Sequence, residues 1–170
     1  PHTYALTYPA PGAPALAERA ATLLAAAGFM PRLDGERGYD HGCFIPLKVA
    51  FPAADVPVLQ LSLLASLDAA EHLRLGRALA PLRDEGVLII GSGMSYHHMR
   101  GYGDPRSTPV AAEFDRWLDE TVALPPAERQ ARLADWARAS GPAGRLCHPP
   151  RAEEHLLPLH VAAGAAGDGA

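Results

Sequence analysis

The run Val87-Leu-Ile-Ile-Gly-Ser-Gly-Met-Ser-Tyr-His-His-Met-Arg100 restricts the fold more than any other segment of the chain. Val87 to Ile90 is a short, continuous apolar stretch, the pattern of a strand covered on both faces by helices. Gly91 and Gly93 close it with residues that accept unusual backbone angles and the close approach of a ligand. Ligands of open α/β sheets bind outside the carboxyl ends of the strands. His97 and His98 fall just beyond such an end, where an imidazole works near neutral pH as acid, base or metal ligand. Read alone, the same pair also fits a solvent-facing loop.

Upstream, Pro57-Val-Leu-Gln-Leu-Ser-Leu63 reads as a second strand. Between the two, Asp68 has the character of an N-cap and Glu71 completes a capping box. The helix this predicts carries Leu73, Leu75, Ala78, Leu79 and Leu82 and stops near Gly86. Strand, helix and strand in so short a span form a βαβ unit. The expected fold class is therefore α/β, a mixed, largely parallel central sheet flanked by helices. Around this unit, Pro1 to Pro9 alternates like a strand, and Ala15 to Ala27 predicts a helix with Leu16, Ala20, Leu23 and Leu24 on one face. Phe29 to Leu33 reads as a short strand, Asp34 to Gly42 as a loop, and Phe44 to Ala50 as an apolar segment of open type. Further on, one helix should hold Phe114, Trp117, Leu118 and Val122 and break at Pro125-Pro126. A second runs from Glu128 to Ala139, ended by Gly141-Pro-Ala-Gly144, and Cys147 to Arg151 is a constrained loop. A last helix, Glu153 to Ala163, begins with two carboxylates and His155.

With 170 residues, 48% of them hydrophobic, the chain has the size and apolar content of a single domain with a proper core. A formal net charge of -4 with no run of Lys or Arg leaves no electrostatic footprint for nucleic acid. No apolar stretch is long enough for a membrane span, and no basic-then-apolar leader is present. Cys43 and Cys147 are accordingly expected to be reduced thiols in a cytoplasmic protein. The start at Pro1 and the close in Ala-Ala-Gly-Asp-Gly-Ala read as part of a longer protein.

Three of the eight histidines stand out. His41 lies between Asp40 and Gly42, where a neighbouring carboxylate orients an imidazole and raises its basicity. Glu153, Glu154 and His155 open a helix, and the helix dipole alone explains two carboxylates there. The functional reading points Glu154 or His155 inward as a metal ligand, since carboxylate and imidazole donors together suit Fe(II), Mn(II) or Zn(II). His148, in Cys147-His-Pro-Pro150, reads as a residue that supports the site's ligands from behind or fixes the loop, the Cys-His spacing being too short for a zinc motif. His72 reads as solvated, His160 as packed, and His2 lies near a chain end.

In combination the motifs become specific. Gly38-Tyr-Asp-His-Gly42 followed by Ile45-Pro-Leu47, Val58-Leu-Gln-Leu-Ser62, Ile89-Ile-Gly-Ser-Gly-Met-Ser-Tyr-His97 and Glu153-Glu-His-Leu-Leu-Pro-Leu159 together resemble the class III extradiol ring-cleavage dioxygenases. The nearest branch is the DOPA-dioxygenase-like, aromatic ring-opening group. The resemblance covers essentially the whole chain. It implies an α/β core holding one non-haem Fe(II), sometimes replaced by zinc, with a catecholic substrate opened by O₂ beside its two hydroxyls. By motif, His97 resembles the acid/base histidine, although it is also counted among the ligands in this branch. Glu154 and His155 resemble the late metal-ligand position, and His41 a histidine on the substrate side. Two further metal histidines of the family, in a His-Gly turn and an Ala-His-Trp-like strand end, have no counterpart here, nor has the final strand. An incomplete family domain, the C-terminal two-thirds, is the expectation.

An iron that takes both catechol oxygens and O₂ leaves about three positions to protein, the facial-triad arrangement. A base must also remove a phenolic proton, a task suited to a near-neutral imidazole such as His97. The expected partners are thus a small catecholic aromatic and O₂, with no nucleic acid or membrane, and a homo-oligomer is compatible with the sequence. Two other readings stay open: a non-catalytic metal- or ligand-binding protein on the same fold, and a zinc hydrolase with His97 as base.

Overall fold

The computed structural model describes residues 6–167, which divide into two compact units, one up to Ser62 and one from Leu63 onward. The expected strand at Pro1 to Pro9 lies in large part outside the described residues.

In the first unit, α1 (Pro14–Ala26) starts on a proline, whose missing N–H costs nothing in the first turn, and it buries Ala20 and Leu24. The Asp40-His41-Gly42 triplet, expected in a loop, instead starts a helix. The Asp40 carboxylate accepts the Cys43 amide at 3.0 Å and so caps α2 (His41–Ala50), the segment whose type was open. Gln60 fastens this cap, donating from Nε2 to Asp40 Oδ2 and accepting the Asp40 amide through Oε1, both at 2.9 Å. Tyr39 donates its hydroxyl to Val58 O at 3.0 Å. The Val58 amide in turn reaches Pro11 O at 2.9 Å, beside an isolated parallel bridge between Gly12 and Val58.

The second unit contains α3 (Ala69–Leu79), α4 (Pro81–Asp84), α5 (Thr108–Val122), α6 (Pro126–Ala134), α7 (Trp136–Ala139), α8 (Gly141–Cys147) and α9 (Leu157–Ala166). Its core gathers Leu73, Phe114, Trp117, Leu133, Trp136 and Leu157. Asp68 caps α3 as expected, its Oδ1 accepting the Glu71 amide at 2.7 Å. The crossing of α3 and α9 has glycine on both sides: a Cβ at Gly76 would strike Val161 O, and one at Gly164 would strike Leu73 O. Backbones meet here at a separation no side chain allows. Arg83 closes the end of α9, donating to Ala165 O and Ala166 O at 3.2 and 2.8 Å, which satisfies carbonyls a helix end leaves open.

The expected central parallel sheet is not found among the described residues. Among the described residues no strand is assigned, and neither Val58 to Leu63 nor Val87 to Ile90 forms a ladder. Phe29 to Leu33 is likewise irregular. The apolar composition of Val87 to Ile90 suits a strand, but a strand exists only when a second backbone offers its N–H and C=O groups alongside. Here Leu88 and Ile90 are 72% and 51% exposed, so the run is not covered on both faces. Its continuation packs against a helix start instead. Gly91 lies under Pro158 O, Gly93 under His155 O, and the Met94 amide donates to His155 O at 2.9 Å.

Two helix boundaries also differ from expectation. Gly141 to Cys147 continues as α8 rather than ending a helix. Glu153, Glu154 and His155 form a turn before α9, which starts only at Leu157. No helix among the described residues is long and apolar enough to cross a membrane.

Candidate active site

The site forms where the turn after Gly93 meets the turn before α9. Three backbone links hold the first of these turns. The Met94 amide bonds to His155 O, the His97 amide donates to Cys147 O at 3.1 Å, and the Ser95 carbonyl accepts from His148 Nε2 at 3.0 Å. Between them Tyr96 sends its hydroxyl to Ser107 Oγ at 3.1 Å.

Held in this way, the His97 ring stacks on the His155 ring, with centroids 3.6 Å apart and planes 25° from parallel. His97 Nδ1 is buried and makes no hydrogen bond, and Glu154 Oε1 lies 3.4 Å from it, ion-pair distance for a protonated imidazole. One ligand atom from each of His97, Glu154 and His155 fits within 4.8 Å of the others. Among the described residues this is the one such group of three. Two imidazoles and a carboxylate make a mixed nitrogen and oxygen donor set that suits Fe(II), Mn(II) or Zn(II).

The two neighbouring glutamates separate in the structure. Glu153 is buried and paired with Arg145 at 2.6 Å, while the Arg145 guanidinium lies over the Trp136 ring at 4.6 Å. Glu154, more exposed, faces His97. A helix-dipole reading treated them alike; the turn that precedes α9 sends them in different directions. A cavity of about 190 Å³ runs beside His155, lined by Gly91, Gly93, Ser95 and Leu159. An open groove of about 680 Å³ follows Ser95, Tyr96, Tyr102, Asp104 and Ser107. Asp104 at its rim is held well below the usual carboxylate range by hydrogen bonds from Arg106.

His41 is the exposed first residue of α2, in the first unit. His98 precedes a short 3₁₀ turn, Met99–Gly101. Both cysteines are free thiols. Burial pushes Cys147 up to about 11, so it stays protonated and is no nucleophile. His148 and His72 are fully buried. His72, expected to be solvated, donates from Nδ1 to Asp68 O at 2.6 Å and accepts the Leu64 amide at Nε2. Sequence reasoning missed Ser95, whose contribution is a backbone carbonyl that no side-chain pattern reveals.

Comparison with known proteins identifies the family. The chain belongs to the family described as the catalytic LigB subunit of aromatic ring-opening dioxygenase, which matches residues 2–170. It is 45% identical over 169 residues to the 4,5-DOPA dioxygenase extradiol of Portulaca grandiflora, covering 97% of this chain and 60% of that protein. It is 46% identical over 169 residues to the protein of the same name in Beta vulgaris, with the same coverage. A crystal structure of an uncharacterized protein from Escherichia coli K12 superposes with a TM-score of 0.73 at 37% identity, covering 94% of this chain and 65% of that one. The chain therefore spans 60% of the length of the two plant relatives. The family drawn from the motifs is borne out.

Proposed function

We propose that this chain carries the acid/base and late metal-binding residues of an extradiol dioxygenase that opens a catecholic ring with O₂. The observation that carries the reading is the stack of His97 on His155 with Glu154 at its edge. Imidazole lone pairs lie in the ring plane. Two rings stacked nearly parallel direct them side by side, and a shared ion at about 2.0–2.1 Å from both needs them to converge. This supports a division of labour in which His155 holds the metal and His97 moves protons. Glu154 serves both: Oε1 faces His97 Nδ1, and the carboxylate lies within reach of an ion held by His155.

What Fe(II) supplies when bound, or zinc in part, is positive charge toward the catechol oxygens, and with iron the redox chemistry O₂ requires. The protein's own part is the proton. With Glu154 against Nδ1, His97 keeps Nε2 free for a phenolic hydroxyl, and the carboxylate stabilises the imidazolium that forms. The same ring can return that proton later in the reaction. The substrate class proposed is catechols, among which DOPA is the one the relatives' names contain. A cytoplasmic setting is part of the proposal, supported by the two free cysteines. For His41 the proposal is a substrate-side role: His41→Ala should raise KM for the catechol roughly tenfold, the loss of one hydrogen bond, at unchanged metal content. An unchanged KM would remove His41 from the reading.

The test is to load the full-length protein anaerobically with Fe(II) and admit catechol or DOPA in air. A yellow ring-opened product, with one O₂ consumed per ring, is expected. Bound iron without O₂ uptake would favour a non-catalytic binding protein, and hydrolysis supported by zinc alone would favour the hydrolase.

A further inference from the structure

His148 is fully buried, and its ring stands edge-on to Phe114 and Trp136, with centroids 5.5 and 6.2 Å away. Two aromatic walls fix its plane. Its Nε2 lies 3.0 Å from the Ser95 carbonyl, which has no proton to give, so Nε2 must carry the hydrogen. Immediately before it, Cys147 ends α8, and its carbonyl, left open by the helix end, receives the His97 amide. Residues 147 and 148 thus grip the 95–97 turn at two points. We propose that His148 is a positioning residue that sets where His97 stands against His155.

Ser95 O and His97 N–H bracket the two peptide planes that flank Tyr96, so fixing both leaves the His97 Cα little freedom. Stacking at 3.6 Å tolerates only a fraction of an ångström of drift. Released from His148, the turn keeps its Met94 and His97 amide links but loses the hold on the plane between Ser95 and Tyr96, and the imidazole wanders from the carboxylate at Nδ1. The effect on turnover rests on the dioxygenase reading; the clasp does not.

The experiment uses the full-length protein with His148→Gln and His148→Met, side chains of nearly equal length of which only Gln can donate to Ser95 O. In His148→Met, hydrogen exchange of the His97 amide should quicken about tenfold or more, and the ring-current shifts of the stacked imidazoles should collapse. Turnover should fall roughly 10–100-fold with KM and metal content nearly unchanged, the signature of a misplaced group rather than lost binding. His148→Gln should recover most of each. Wild-type behaviour of His148→Met, or equal damage in both variants, would overturn the proposal. Nitrogen-15 NMR of the wild type decides it without any variant, since a His148 ring protonated at Nδ1 and not Nε2 excludes the clasp. If the wild type opens no ring, the functional reading fails, while exchange and tautomer still decide on the clasp.

Discussion

His160 shows how much the interior constrains a single residue. It is fully buried on α9, with Nε2 3.0 Å from Leu133 O and Nδ1 3.3 Å from Leu156 O. Burial drives its pKa down to about 4 in the folded chain, against about 6.5 in an unfolded one. A base with a depressed folded pKa contributes stability that is fully present above pH 6.5 and is lost as the pH falls toward 4. The size is on the order of 3 kcal/mol. Urea midpoints of wild type and His160→Leu should therefore differ most at pH 7.5 and draw together toward pH 4.5. A constant gap would show that His160 does not titrate with unfolding. The sequence reading already has His160 as a packed residue of the last helix. His72 was misread because its neighbour Glu71 suggested water, whereas its ring turns back to the Leu63–Leu64 segment. The direction of a side chain at a helix start is a tertiary property.

Among the elements, the α3 and α9 crossing bears the most consequence. Gly76 and Gly164 let the two backbones touch, so an added methyl must push the helices apart. Gly76→Ala and Gly164→Ala should each cost about 1–3 kcal/mol, although alanine is the better helix former by about 1 kcal/mol. The double variant should cost less than the sum, since a crossing already opened by one methyl accommodates the second. Denaturant unfolding measures all three, and neutral or stabilising variants would contradict the packing. The helices themselves were legible. Pro14, Asp68 and Pro125-Pro126 mark starts and stops by chemistry that is local, and α1, α3 and α5 follow from it. The strands were not, for extended backbone is local but pairing is not. Val87 to Ile90 has the composition of a buried strand and, in the described residues, no ladder partner.

At the scale of the molecule, the second unit brings His97 and the Glu154-His155 pair together across nearly sixty residues of sequence, by way of α5 to α8. The motifs pointed to these three residues. They did not show the stack, the separation of Glu153 from Glu154, or the clasp from His148, because each depends on turns whose shape is set by packing. In the proposed reading the stacked pair divides its work, His155 holding metal and His97 moving protons. Iron stoichiometry measured beside turnover in His97→Gln and His155→Ala of the full-length protein tests it most directly. His97→Gln should keep its iron and lose about 10²–10⁴-fold in turnover, the usual worth of a general acid/base group. His155→Ala should lose iron and turnover together. Iron retained in His155→Ala and lost in His97→Gln would make His97 the ligand and contradict the account.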